Sequence, residues 1–335
     1  MSPAPSAAEL ASWAGLFTLL LLGSARVARG QVTTLKERWG VFVAIAALPL
    51  LAPARGIAST LLTGFCVVFA TRLPDLERER PRKTRSELWL WLLVPMFRAW
   101  SSTAGGRARN RAAAKTHARA ALKYAVLYAL VVAALYGFGP GRSVPNLIRS
   151  STLILFFVGL IVGLAEGLTA LTALLGANVD VLFDAPLDSR SLREFWGRRW
   201  NRFIARFALR HIATSRPSRD TRRLFSSSAS RTLLVFFWSA LFHEYFAWGV
   251  AGNVDALGTM FSFFVLQGLL MTLLPLWPAT WPLPSRVGQA LTFGWMAATA
   301  PLFFESTSAP LVALGYPESW LPDGLAYQVE RIWSP

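Results

Sequence analysis

Long apolar blocks parted by clusters of arginine leave this 335-residue chain few folds to choose from. The blocks lie at about 10–25, 39–53, 56–71, 121–138, 147–175, 232–250, 256–278 and 287–304. Inside hydrocarbon each backbone N–H and C=O must be paired within the protein, so such blocks are helices. Their lengths sit near or above the roughly 17 residues needed to cross a bilayer. A ninth stretch, 87–100 (ELWLWLLVPMFRAW), is too short to span and reads as a helix in the plane of the interface. The fold class expected is therefore all-α and multi-pass, with about eight spans and one in-plane helix. Composition agrees: 54% of residues are hydrophobic and only 16% charged, against about 25% charged for a soluble domain. The 14 tryptophans suit the membrane interface.

Charge placement orients the helices. Basic groups follow the first span (Arg26, Arg29, Lys36, Arg38) and the third (Arg72 to Arg85), precede the fourth (Arg98 to Lys123), and fill 190–231 with twelve arginines. With the N-terminus outside, all four fall on the cytoplasmic face, as the positive-inside rule requires. The short connections at 54–55, 139–146 and 251–255 then face out, as does the tail with Glu305, Glu318, Asp323 and Glu330. A net charge of +16 placed this way points to anionic lipid headgroups, not to nucleic acid. The apolar run after Met1–Glu9 has no basic leader and reads as a first membrane helix. The Ala- and Arg-rich composition suggests a bacterial inner membrane. No internal repeat is visible, and Ala104-Gly105-Gly106 and Ser226-Ser227-Ser228 read as loop tips. The single cysteine, Cys66, permits neither an intrachain disulfide nor a zinc cluster, and no metal is expected.

Against this background His243 stands out. It lies beside Glu244 within the apolar run 232–250, where an ionised group costs about 3 kcal/mol or more. A neutral imidazole costs less and can still accept a proton. Counting from Arg231, it sits roughly 18 Å along the helix, near mid-membrane. Ser239, four residues earlier, shares its face; Glu244 points about 100° away and suits a structural partner better than a second base. The remaining histidines, His117 and His211, lie in arginine-rich stretches.

The segment 177–231 is the longest outside the spans. Ser191-Leu-Arg-Glu194 has the form of a capping box that opens a helix. Phe195-Trp196-Gly197-Arg198-Arg199-Trp200-Asn201-Arg202 follows, alternating rings with guanidinium groups. One use of that pattern is an interfacial helix; the other is a site for an anionic ligand, with arginine forks on phosphates. Asn201 is the uncharged exception, able to donate to a carbonyl oxygen.

The two blocks SLREFWGRRWN (191–201) and SALFHE (239–244), in that order and at that spacing, resemble the wax synthase branch of the membrane-bound O-acyltransferase (MBOAT) superfamily. Phe263 to Gly268 and Leu291 to Phe304 resemble later blocks, with Gln267 where the family pattern leads one to expect histidine. The resemblance covers about 180–305. It divides the chain into 1–176, N-terminal membrane helices, and 177–335, a wax-synthase-like catalytic region. It implies a helical fold with an internal tunnel, and transfer of an acyl group from acyl-CoA, a co-substrate and not a bound cofactor, to a lipophilic alcohol. His243 would be the catalytic base and Asn201 its polar partner. Arg198, Arg199, Arg202, Trp196 and Trp200 are then candidates for acyl-CoA contacts. Other functions fit the same residues: acyl or acetyl transfer to a sterol, terpenoid or glycan hydroxyl, or proton-coupled transport through His243-Glu244.

Overall fold

A computed structural model describes residues 6–32, 34–51, 57–138, 145–213, 227–251, 258–273, 285–313, 316, 317 and 320. The predicted outward connection at 54–55, most of those at 139–146 and 251–255, Arg216 to Arg223, Ser226, Glu318 and the tail beyond 320 lie outside them. The main helices are α1 (Ala7–Ala28), α2 (Leu35–Ala47), α3 (Ile57–Arg72), α4 (Arg85–Leu93), α5 (Ala104–Phe138), α6 (Asn146–Leu174), α7 (Arg202–Phe207), α8 (Ser228–Ala251), α9 (Thr259–Leu273) and α10 (Ser285–Ala313). Among the described residues, each of the eight apolar blocks overlaps one of these helices. By length and composition, three among the described residues can cross a membrane: Ala7–Ala28, Ala104–Gly137 and Leu147–Leu174. The outward faces of the last two carry Leu122, Leu130, Leu164 and Leu171, each more than half exposed. The protein is an integral membrane protein, built almost wholly of helix.

The structure departs from the sequence expectations in three places. α5 begins at Ala104, not near 121. Its first four turns are rich in alanine, arginine and lysine, all strong helix formers, and the charge that hides this stretch from a hydropathy window does not stop it from coiling. Ala104-Gly105-Gly106 is thus the start of a helix, not a loop tip. Ser227 likewise caps α8, its Oγ accepting from the Ser230 N–H at 3.0 Å. The in-plane helix ends at Leu93, because Pro95 has no N–H to continue it. Phe97–Trp100 (β1) instead pairs antiparallel with Ala177–Val179 (β2), the one sheet among the described residues.

Two apolar cores result. One gathers α1 to α4, with Leu20, Leu62, Phe69 and Leu92 fully buried. The other joins α5 and α6 to Leu182, Phe183, Leu192 and Phe195, to α8, α9 and α10, and to Trp320. α5 and α6 meet along a stripe of glycines, Gly159, Gly163 and Gly167, that admits the α5 backbone. A Cβ on Gly159 would lie 3.1 Å from the Tyr128 Cα. Two buried side chains close this seam: His117 of α5 and Glu166 of α6, Nδ1 to Oε2 2.5 Å. Arg72, at the end of α3, is buried between the rings of Trp91 and Phe203 and donates to the carbonyls of Val94 and Pro95. It thereby ties the first core to α7 of the second.

Candidate active site

The block 182–203 folds back on itself. Ser191 accepts from the Glu194 N–H as expected, but the Glu194 carboxylate reaches back one residue further, to the Arg190 N–H at 2.8 Å. That N–H, followed by Arg199, holds the carboxyl below its ordinary range. The opening helical turn lasts only from Leu192 to Glu194 and widens into a π turn over Phe195–Arg199. Asn201 then takes the left-handed conformation, φ 37°, which asparagine tolerates better than most residues. Its Oδ1 caps α7 by accepting from the Ile204 N–H at 3.3 Å. A backbone N–H requires an oxygen acceptor there, so the amide Nδ2 is the half left to donate.

This reversal sorts the side chains. Trp196, Trp200 and Asn201 line a cavity of about 690 Å³, whereas Arg198, Arg199 and Arg202 do not. Arg199 is bound to Glu194 (2.7 Å) and to the carbonyls of Asp184 and Ala185. Arg202 meets the Asp184 carboxylate at 3.4 Å. Arg198 is exposed and has no hydrogen-bond or ion-pair partner among the described residues. The cavity's own guanidinium is that of Arg231, exposed in the first turn of α8. Trp200 is wedged between Phe195 (5.3 Å, stacked) and Phe183 (4.9 Å, edge-on).

His243 lines the same cavity from α8. Its Nδ1 is 2.7 Å from the carbonyl oxygen of Ser239, with the Ser239 hydroxyl at 3.3 Å. A carbonyl only accepts, so Nδ1 carries the proton and Nε2 keeps its lone pair. No described residue bonds Nε2. The ring stacks on Phe264 of α9 at 3.9 Å. The next two residues serve other helices, each about 100° further round. Glu244 Oε1 accepts from the N–H groups of Gly258 (2.9 Å) and Phe261 (2.6 Å), capping α9. Tyr245 donates its hydroxyl to the Ala46 carbonyl at the end of α2, 2.7 Å.

Gln267 is fully buried behind this wall. Its carbonyl accepts from the Trp196 indole N–H (3.3 Å), and its amide donates to Thr299 of α10 (2.9 Å). Gln267 thus fixes a wall of the cavity without lining it. Two glycines let the helices close around it. A Cβ on Gly268 would meet Phe236 Cβ at 2.7 Å, and one on Gly288 would meet the Arg190 carbonyl at 2.6 Å. Sequence reading missed Arg231, Tyr245 and both glycines. Arg231 carried a signal, as the last arginine before the histidine helix.

The match to a known protein family falls on this same region. Residues 179–266 match the membrane bound O-acyl transferase family. A probable long-chain-alcohol O-fatty-acyltransferase of Arabidopsis thaliana is 29% identical over 149 residues, 40% of this chain and 41% of the relative. The long-chain-alcohol O-fatty-acyltransferase of Simmondsia chinensis is 29% identical over 166 residues, 44% of each. A second Arabidopsis thaliana relative of the same description is 33% identical over 95 residues, 28% of this chain and 25% of its own. The matches thus span less than half the length of these relatives. Residues 179–266 are thus similar to the membrane bound O-acyl transferase family, and the relatives the chain resembles bear the names of long-chain-alcohol O-fatty-acyltransferases.

Proposed function

We propose that the protein transfers an acyl group from acyl-CoA to the hydroxyl of a lipophilic alcohol, long-chain fatty alcohols foremost, giving a wax ester. The observation that carries this is the His243 tautomer. With Nδ1–H held by the Ser239 carbonyl, Nε2 is a proton acceptor on a mostly apolar cavity that Asn201 shares. Nε2 takes the alcohol proton as the alkoxide oxygen attacks the thioester carbonyl. The carbonyl oxygen becomes an oxyanion, to which the Asn201 Nδ2–H donates. Collapse expels the CoA thiolate, which takes the proton from the imidazolium. The ester forms, the thioester breaks and His243 returns neutral.

Two further parts belong to this proposal. The eight apolar helices cross the bilayer with 177–231 on the cytoplasmic side, as the positive-inside rule favours, and the cavity is part of a tunnel for lipid substrates. The CoA phosphates are met by guanidinium groups that have no carboxylate partner among the described residues: Arg198 from the sequence block and Arg231 on the cavity itself. Arg199 and Arg202, paired with Glu194 and Asp184, brace the block. Trp196 and Trp200 pack against the acyl chain. Placement in a bacterial plasma membrane rests on composition alone.

Proton-coupled transport through His243-Glu244 fits less well. Glu244 Oε1 accepts from the N-terminus of α9 and Glu166 is bound to His117, and no hydrogen bond among the described residues joins either carboxylate to His243.

The test is acyl transfer on membranes carrying wild type or His243→Ala. Labelled palmitoyl-CoA and, separately, acetyl-CoA are supplied with fatty alcohols, diacylglycerol and a sterol. An ester that disappears in the mutant supports the proposal and identifies the acceptor. Folded protein that makes no ester from any donor overturns it.

A further inference from the structure

Part of the cavity is built by helices outside the matched region. Phe42 and Ala46 of α2, and Cys66, Val67, Ala70 and Thr71 of α3, line the same space as Asn201 and His243. On α3 the spacing is one continuous stripe, about 7.5 Å long. Little on this wall could hold a polar head. The Thr71 hydroxyl is already bonded to the carbonyls of Val67 and Val68, at 3.1 and 2.9 Å, and the other side chains are rings, methyls or a thiol. Such a surface accepts hydrocarbon and penalises any group that needs a partner. Ala46 and Ala70 are small, so what they leave open is space.

The wall is also fixed relative to the base. Tyr245, two residues after His243, holds the Ala46 carbonyl. Gly249, one turn on, brings α8 so close that a Cβ would lie 3.0 Å from Thr63 and 3.3 Å from Pro49. A chain lying along α2 and α3 is therefore measured from the reacting atom.

We propose that this wall receives the linear alkyl chain of one substrate, and that Ala46 and Ala70 set how long a chain fits. The inference rests on the acyl-transfer proposal for its chemistry. It assigns a specificity-determining role to helices that precede the family match at 179–266.

Ala70→Phe and Ala46→Phe are compared with wild type, with Ala70→Val as a milder change should the larger ones not fold. One series runs alcohols from octanol to octadecanol against a fixed donor. The other runs donors from octanoyl-CoA to stearoyl-CoA against a fixed alcohol. The expected result is a fall of about tenfold or more in the ratio of long-chain to short-chain kcat/KM, a smaller fall for Ala70→Val, and a shift in one series only, which says whose chain lies there. In parallel, a diazirine-bearing fatty alcohol and the matching acyl-CoA are photo-cross-linked to wild type without turnover. Adducts are expected on 42–71. Ester formation with unchanged chain-length profiles in folded variants, and adducts confined to other segments, would overturn the wall while leaving the enzyme proposal intact. Adducts on 42–71 without any ester would do the reverse.

Discussion

His117 and His243 each lie within a helix of more than twenty residues, and each presents Nδ1 to an oxygen. They are nonetheless held for different ends. At His117 the oxygen belongs to Glu166 on a neighbouring helix, both side chains are buried, and the glycine stripe presses the two helices together beside them. At His243 the oxygen belongs to the histidine's own helix, one turn back, and the ring edge that remains meets a cavity. A partner on another helix makes the first histidine a joint. A partner on its own backbone leaves the second fixed yet free to react.

Substitution separates the two. His243→Ala is expected to cut ester formation by about 10²–10⁴, the usual contribution of a general base, with the protein still folded; an activity assay alongside thermal unfolding checks it. His117→Ala strands Glu166 without a partner and should cost about 3–5 kcal/mol of stability. Its signature is a lowered unfolding temperature, with near-normal kcat in the fraction that folds. A His117→Ala protein of wild-type stability would erase the contrast.

Gln267→Leu leaves the Trp196 indole N–H without its acceptor, at a cost of about 1–3 kcal/mol. A loosened cavity wall should raise KM several-fold while kcat changes little. Gln267→His, which restores a ring nitrogen to the indole, should recover much of the loss. The smallest effect is expected of Ser239→Ala. The carbonyl, not the hydroxyl, holds Nδ1, and alanine supplies the same carbonyl. Activity within about threefold of wild type fits a stability change of no more than ~0.5 kcal/mol; a loss approaching that of His243→Ala would show that the hydroxyl sets the tautomer.

What the sequence disclosed is what depends on near neighbours. The apolar blocks marked the helices because burial in lipid is a property of each segment alone. The spacing of Asn201 and His243 was visible in two short blocks, and both residues do line one cavity. Glu244 read as a structural partner and turned out to cap α9. What stayed hidden depends on distant residues. No local pattern in 190–202 says that Arg199 and Arg202 will meet Glu194 and Asp184 while Arg198 stays open. None tells that Phe97–Trp100 will pair with a strand some eighty residues later. The alanine-rich start of α5 was hidden for another reason: its charges lower hydropathy without lowering helix propensity. The glycine stripe at 159, 163 and 167 was legible as a four-residue repeat, and is the clearest signal that went unread.

The triplet His243-Glu244-Tyr245 has one more consequence. Three adjacent side chains point to a cavity, to the start of α9 and to the end of α2, so their directions are locked to one another by the pitch of α8. Changing any one of them alters one junction. Inserting or deleting a single residue between Ser239 and Gly249 would turn the later part of the helix by about 100° and misdirect several at once.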